Sequence, residues 1–185
     1  MIRFFLLITS TLLITKLYCQ DEIKQGNNES TKNSLELNLI WPFIPKIYQI
    51  KYARRVFEFK NGIKGEFIGS INYRPWTYSE SEGDKTMFAV AVGYRHYWWK
   101  GINSELSVYP EFVGIENNVV DGNNYSDFYI VPELYTGYKG TLGKKKLFYN
   151  IQVGIGVIIF PDESYPRSKD TNLFFNGNLT LGYSF

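Results

Sequence analysis

The feature that most constrains this chain is the alternation of residue types from Asn172 to Phe185. One set of alternate positions carries large apolar side chains, namely Leu173, Phe175, Leu179, Leu181, Tyr183 and Phe185. The intervening positions carry Phe174, Asn176, Asn178, Thr180, Gly182 and Ser184. Because successive side chains of a β-strand point to opposite faces, the stretch predicts a strand with one apolar and one mostly polar face.

Seven further segments with a similar alternation precede this closing strand. They cover about residues 35–43, 47–59, 63–73, 86–98, 103–115, 127–139 and 146–160. The fourth alternates most clearly, with Phe88, Val90 and Val92 on one face and alanines between them. No helical periodicity of any length interrupts the series. The sequence therefore predicts an all-β fold of eight antiparallel strands.

The lengths of the links between these segments also alternate. The second, fourth and sixth links are short, at Asn61-Gly62, residues 99–102 and residues 140–145. The third, fifth and seventh are longer and polar, at residues 74–85, 116–126 and 161–171. Short turns at one end and long loops at the other are typical of an up-and-down transmembrane β-barrel, in which large apolar residues face lipid. The first link, residues 42–46, is short and departs from this pattern.

The closing strand resembles the C-terminal assembly signal of bacterial outer-membrane barrels, with Leu181, Tyr183 and Phe185 as its apolar residues. The resemblance is to the small eight-stranded OmpA and OmpX type, and it covers about residues 35–185. It implies a barrel in the outer membrane of a Gram-negative cell. The implied partners are outer-membrane lipid, the barrel-assembly machinery and other outer-membrane proteins.

The first 19 residues predict a cleaved secretory signal peptide. Arg3 supplies its positive charge, and the apolar run that follows is too short for a membrane-spanning helix. Cys19, the only cysteine, could instead carry a lipid, but the residues before it match a lipidation motif poorly. Residues 20–33 are polar and predict a flexible periplasmic lead-in, so the barrel is expected to occupy residues 34–185.

A soluble, lipocalin-like barrel of eight strands is the alternative fold. It would place apolar side chains inside and polar ones outside, the reverse of the membrane barrel. The loop asymmetry and the closing Phe185 favour the membrane version, as does the aromatic content of 18%. Aromatic girdles at the two interfaces of a membrane barrel would account for that content.

Charge gives no support for a nucleic-acid partner. The 20 basic residues include Arg3 and Lys16 of the predicted signal peptide, and without these two they equal the 18 acidic residues. In the membrane orientation, several charged residues fall on the inward face. Because buried charges must be paired, we expect a lumenal charge network that plugs the barrel rather than a solute path. Its predicted members are Lys51, Arg55, Glu66, Arg95, Glu105, Glu111 and Glu133.

Catalysis, metal binding and cofactor binding are not expected. Two enzyme families on eight-stranded outer-membrane barrels, a lipid A deacylase and a palmitoyltransferase, use a histidine. The deacylase motif places a serine two residues later, but here Trp98 stands two residues after His96, the only histidine. His96 also has outward parity near the periplasmic rim, which favours a place in an aromatic girdle. Glu111 and Glu133 form a like-charge pair if their strands place them opposite, but two carboxylates are not a metal-ligand set.

Pro110 and Pro132 occupy equivalent positions in the fifth and sixth strands, in the repeats Tyr-Pro-Glu-Phe and Val-Pro-Glu-Leu. Proline lacks an N–H, so each removes one hydrogen bond from a closed sheet. Both prolines could weaken the seam between these two strands, face away from it, or form bulges. The function predicted for the whole chain is structural or interactive, through surface loops or as a subunit of an outer-membrane assembly. The alternatives are a lipid-modifying enzyme and a narrow pore.

Overall fold

The structure is a computed structural model, and it describes residues 32–44, 46–59, 63–80, 83–143, 146–159 and 172–185. These residues form eight β-strands. The strands are β1 (Asn33–Asn38), β2 (Tyr48–Glu58), β3 (Lys64–Ser79), β4 (Gly83–Trp99), β5 (Ile102–Glu116), β6 (Tyr125–Leu142), β7 (Leu147–Val157) and β8 (Leu173–Ser184).

The strands close into one barrel in which each pairs with its neighbours in the sequence and β1 pairs with β8. Every pairing is antiparallel. The prediction of an all-β, eight-stranded, antiparallel up-and-down barrel is therefore confirmed. We call the end that holds the β1–β2, β3–β4, β5–β6 and β7–β8 connections the link end, and the opposite end the turn end.

The predicted signal peptide, residues 1–19, and all but the last residues of the predicted lead-in lie outside the described residues. Lys32 and Asn33 are described, and β1 begins at Asn33. Among the described residues, no helix has the length and apolar character needed to cross a membrane.

The first strand is shorter than predicted, and Trp41 does not continue its outward face. The Asn38 side-chain oxygen accepts hydrogen bonds from the backbone N–H groups of Ile40 and Trp41, both at 3.0 Å. Such a local side-chain bond replaces the strand ladder with a turn. The indole of Trp41 consequently points into the barrel mouth, where its Nε1 donates to the Gly177 carbonyl at 2.8 Å.

The prediction of a long link at residues 74–85 is also wrong, because the connection between β3 and β4 is much shorter. Most of it belongs to β3 and β4, which stay paired as far as Ser79 and Gly83 across an irregularity between Arg74 and Thr77. The β5–β6 connection is a loop over residues 117–124, as predicted. The predicted turn at Asn61-Gly62 and most of the β7–β8 connection lie outside the described residues.

The two faces of the sheet have opposite polarity, with the polar face turned inward. Buried polar side chains fill much of the interior, while large apolar side chains on the alternate positions are exposed on the outer surface. Val92 is 66% exposed and Phe112 is 60% exposed. This arrangement contradicts the lipocalin-like alternative, which requires an apolar interior and a polar exterior. An apolar cluster packs inside toward the link end, around Met87, Tyr109 and Val131.

Both prolines face away from the β5–β6 seam. Ile130 exchanges two backbone hydrogen bonds with Ile159, so its polar groups point toward β7, and the pair of Ile130 with Pro110 is a non-hydrogen-bonded one. Pro110 therefore faces β4, and Pro132, two residues from Ile130, faces β7. The β5–β6 register is continuous from Ile102 to Ile115, which contradicts both the weak seam at this position and the bulges.

Candidate functional site

Arg95 lies fully buried at the centre of the lumen and binds two glutamates from different strands. Its Nη1 and Nη2 atoms contact the two carboxylate oxygens of Glu36 at 2.6 and 3.0 Å. Its Nε and Nη2 atoms contact Glu105 Oε2 at 2.9 and 2.8 Å. Because the planar guanidinium fork matches carboxylate geometry, Arg95 ties β4 to β1 across the lumen and to its neighbour β5.

Lys51 completes the charge pairing of Glu105. Its Nζ atom lies 2.7 Å from Glu105 Oε1. Gln152 and Ser107 donate further hydrogen bonds to the same carboxylate, at 3.1 and 3.2 Å. Burial without partners would cost several kcal/mol per charge, so such complete satisfaction is what keeps ionised groups stable inside a barrel.

Lys139, Tyr97 and Glu66 extend the network toward the turn end. Lys139 Nζ lies 3.6 Å from Glu36 Oε1 and 3.5 Å from Glu66 Oε2. The Tyr97 hydroxyl donates to Glu66 Oε2 at 2.9 Å, and Arg95 approaches the same oxygen at 3.4 Å. We call these charged residues the lumenal plug: Glu36, Lys51, Glu66, Arg95, Glu105 and Lys139. Three acidic and three basic side chains give it no net formal charge.

Cross-strand pairing explains why these charges meet. Arg95 is registered with Glu66 of β3 on one side and with Glu105 of β5 on the other. Glu36 of β1 is registered with Lys51 of β2. Directly opposed side chains of an antiparallel pair lie about 5 Å apart, within reach of opposite charges. The register therefore places most of the plug residues beside one another. The closure of the barrel then brings Glu36 across the lumen to Arg95.

Sequence reasoning and structure differ on individual members. The structure brings together Lys51, Glu66, Arg95 and Glu105, but Arg55 instead contacts Glu58 of its own strand at 2.5 Å near the turn end. Arg55 is nevertheless registered with Glu66 of β3, so the pairing with Glu58 is a choice of its side chain and not a consequence of the register. Lys139 was not predicted as a member, although it shares the inward parity of Glu133 and Tyr135.

Glu111 and Glu133 lie apart from the plug and are not opposite each other. Glu111 is registered with Tyr129 and Glu133 with Ser107. Both line a cavity of about 530 Å³ on the link-end side of the plug, which we call the link-end cavity. Glu133 accepts hydrogen bonds from the Tyr135 hydroxyl at 2.7 Å and from Asn176 at 3.1 Å. Glu111 has no hydrogen bond or ion pair with a described residue.

A second cavity of about 320 Å³ lies at the turn end. Its walls include Lys64, Glu66, Tyr97 and Lys139, so two members of the plug form part of its boundary. The two cavities have no lining residue in common, and Arg95, Glu36 and Glu105 line neither one. The plug therefore stands between them.

His96 lies on the outer face, away from the plug. Its ring contacts those of Tyr94, Phe57 and Trp98, the last at a centroid distance of 4.3 Å. Its Nδ1 atom lies 3.1 Å from the Tyr94 hydroxyl. These contacts place His96 within an aromatic cluster near the turn end.

The residues predicted as an assembly signal lie along the strand that closes the barrel. Leu181 and Tyr183 are exposed on the outer face and are registered with Leu37 and Leu35 of β1. Phe185 follows β8, and its backbone exchanges two hydrogen bonds with Asn33, at 2.9 and 3.1 Å. All three therefore lie at the β1–β8 seam.

Comparison with known proteins gives no family for this chain. No family model matches it, and neither a curated protein nor a solved structure does so.

Proposed function

We propose that this protein is an outer-membrane β-barrel with a closed lumen and a structural or interaction role at the membrane. The observation that carries the proposal is the polarity of the barrel, with ionised side chains sealed inside and apolar side chains exposed outside. An exposed apolar surface of this extent is unfavourable in water but matches the hydrocarbon core of a bilayer.

A registered row of aromatic residues supports this placement near the link end. The pairs are Tyr48 with Tyr73, Tyr73 with Phe88, Phe88 with Phe112, and Phe112 with Phe128. The row therefore crosses five adjacent strands along the hydrogen-bonding direction of the sheet. Aromatic side chains at the two interfaces are typical of membrane barrels.

The distance from this row to the aromatic cluster at the turn end fits an apolar bilayer core. From Phe88 to Trp98, β4 extends about 33 Å at about 3.3 Å per residue. At a tilt of about 40° this becomes a height of about 25 Å, which matches the apolar band of outer-membrane barrels. Val90 and Val92 lie between the two levels and are exposed on the outer face.

The lumenal plug favours a closed barrel over a pore. An eight-stranded barrel has an interior that side chains just fill, and here Arg95, Glu36 and Glu105 occupy its centre without exposure. We expect the purified full chain, added to planar bilayers, to produce no conductance steps above those of the lipid. Reproducible steps that persist in independent preparations would instead support the pore.

A lipid-modifying activity is the second alternative, and the surroundings of His96 do not favour it. The described contacts of its ring are aromatic, and no carboxylate among the described residues orients it as a general base requires. A lipid A mass profile of cells with and without the protein would test this alternative. We expect identical profiles, and a protein-dependent change in acyl composition would support the enzyme.

The β5–β6 loop is the best-defined surface for an interaction at the link end. Within the loop, Gly122 donates to the Asn118 carbonyl at 2.7 Å and Asn118 donates to the Asn123 carbonyl at 3.0 Å. This bonding leaves Val119 and Val120 exposed at the tip, where apolar side chains could contact a partner.

The partner can be sought by pull-down from detergent-solubilised outer membrane. We expect the double variant Val119→Ser, Val120→Ser to lose a protein that the unaltered chain retains. Leu142→Ser, which changes an exposed apolar residue near the turn end, serves as the control and should retain it. Equal recovery with all three chains would contradict a role for this loop.

A further inference from the structure

We propose that the link-end cavity binds an organic cation with an apolar body, whose charged group pairs with Glu111 and Glu133. This inference goes beyond the proposed function and does not depend on the nature of any protein partner. A cavity of about 530 Å³ lies within the size range of small-molecule sites, which are mostly apolar with a few polar groups that orient the ligand.

The walls of the cavity are suited to an apolar body. Trp41 and Ile47 line it from the β1–β2 connection, while Met87, Val131 and Phe174 line it from the sheet. Most of these side chains belong to or pack against the apolar cluster at this end of the lumen. Burying a ligand of similar character here would be favourable, because its apolar surface would leave water.

Glu111 and Glu133 favour a cation in the deeper part of the cavity, although Arg74 and Lys85 also line it. Glu111 forms no hydrogen bond or ion pair with a described residue, and the hydrogen bonds that Glu133 receives come from neutral side chains, those of Tyr135, Asn176 and Tyr109. Two carboxylates in one cavity repel each other unless a cation lies between them or one holds a proton. In the lumenal plug, by contrast, every glutamate has a basic partner.

The two basic residues of the cavity lie farther toward its mouth. Arg74 is registered with Met87, which is two residues closer to the link end than Ala89, the partner of Glu111. Arg74 donates to the Thr77 hydroxyl at 2.8 Å, and Lys85 is registered with Thr77. An entering cation would therefore pass these two residues and reach the carboxylates below them.

A bare metal ion is a poorer occupant than an organic cation. No group of three or more His, Cys, Asp or Glu side chains that could hold a metal lies within the described part of the chain. Divalent cations such as Ca²⁺ require six or more oxygen ligands. The apolar walls offer such an ion no oxygen ligands, whereas they would contact the body of a hydrophobic amine.

Calorimetry with three probes of equal size tests the inference. The full chain, folded in nonionic micelles, is titrated with 4-phenylbutylammonium, 4-phenylbutyrate and 4-phenylbutanol. We expect the ammonium to bind more tightly than the other two and to change the fluorescence of Trp41. Tighter binding of the carboxylate, equal binding of all three, or binding of the ammonium weaker than about 1 mM would overturn it.

Two variants locate the binding. Glu111→Gln removes the charge without removing a described hydrogen bond, so the variant should fold, and we expect it to bind the ammonium at least about tenfold more weakly. Glu116→Gln changes an exposed carboxylate of the same strand that does not line the cavity, and it should bind as the unaltered chain does. Unchanged affinity in Glu111→Gln would overturn the inference. It would leave the proposed function standing, because that proposal is tested separately by conductance in planar bilayers.

Discussion

Among the described side chains, Arg95 contacts the largest number of carboxylates inside the barrel. It is fully buried, and its guanidinium contacts Glu36 and Glu105 directly while approaching Glu66. The desolvation of one arginine and three carboxylates is costly, and the contacts described above offset that cost only while they are all present.

Replacing Arg95 by glutamine should therefore destabilise the barrel strongly. Arg95→Gln leaves Glu36 and Glu105 buried with fewer positive partners, and we expect a loss of about 3–5 kcal/mol in the free energy of unfolding. Urea titration of the protein in phospholipid vesicles, followed by tryptophan fluorescence, measures this loss.

Arg54→Gln provides the matched control for that measurement. Arg54 belongs to β2 but is exposed on the outer side of the sheet near the turn end. Its replacement should change the free energy of unfolding by no more than about 0.5 kcal/mol. Equal effects of the two substitutions would show that the lumenal plug does not stabilise the fold.

Inward glycines make room for large aromatic neighbours in the same lumen. A Cβ atom on Gly154 would lie 2.5 Å from the Leu134 carbonyl oxygen and 2.5 Å from Cδ1 of Tyr135. Because a backbone atom cannot move aside cheaply, Gly154→Ala should cost about 1–3 kcal/mol through overpacking.

The control for Gly154→Ala is Gly177→Ala, since a Cβ on Gly177 meets no atom within 4 Å. The same urea titration should show almost no loss for Gly177→Ala. Similar losses in both variants would indicate that glycine flexibility, rather than the space beside Tyr135, determines the result.

Inward parity could be predicted from the sequence at most of these residues, but pairing could not. The alternation identifies Lys51, Glu66, Arg95 and Glu105 as inward. It cannot show that the Arg55 side chain pairs with Glu58 of its own strand and not with Glu66, its registered neighbour on β3. It also cannot show that Glu111 and Glu133 lie outside the plug, since that depends on how the side chains of β5 and β6 reach across the lumen.

At the level of the strands, the two prolines interrupt hydrogen-bond ladders without changing the register. The β4–β5 pairing lacks the positions between Ala89–Glu111 and Val92–Val108, and it resumes in the same register. The β6–β7 pairing begins at Glu133, with an isolated bridge between Ile130 and Ile159 beyond it. The missing N–H of each proline accounts for both interruptions.

Hydrogen exchange should detect these interruptions. Val90 and Val157 stand opposite Pro110 and Pro132 in the two interrupted seams, whereas Tyr109 and Val131 form a pair within the continuous β5–β6 seam. We expect the amides of Val90 and Val157 to exchange faster in micelles than those of Tyr109 and Val131, because their ladders are locally weaker. Faster exchange at Tyr109 and Val131 would instead support the hypothesis of a weak seam between β5 and β6.

Strand ends were the least predictable feature of the elements. The apolar alternation of residues 35–43 predicts one strand, but the Asn38 side chain ends it and turns Trp41 inward. Conversely, the polar residues 74–85 predict a loop, yet β3 and β4 remain paired through most of them. In both places a local hydrogen-bonding pattern outweighs the hydrophobic pattern from which the ends were predicted.

For the molecule as a whole, closure of the barrel and the direction of its polar face follow from the same alternation. Eight strands of one periodicity can close only if the last pairs with the first, as β8 does with β1. Polar side chains then fill the lumen, and the apolar positions form a continuous outer surface. The central claim is that this surface lies in the hydrocarbon core of a membrane.

Spin labels along β4 test that claim most directly. A label at Val92, on the apolar outer surface midway between Phe88 and Trp98, should collide with oxygen dissolved in the lipid and be protected from a water-soluble nickel complex. A label at Lys100, in the β4–β5 turn, should show the opposite preference, and one at the inward Ala91 should be shielded from both. High nickel accessibility at Val92 in the folded, reconstituted protein would contradict the membrane placement.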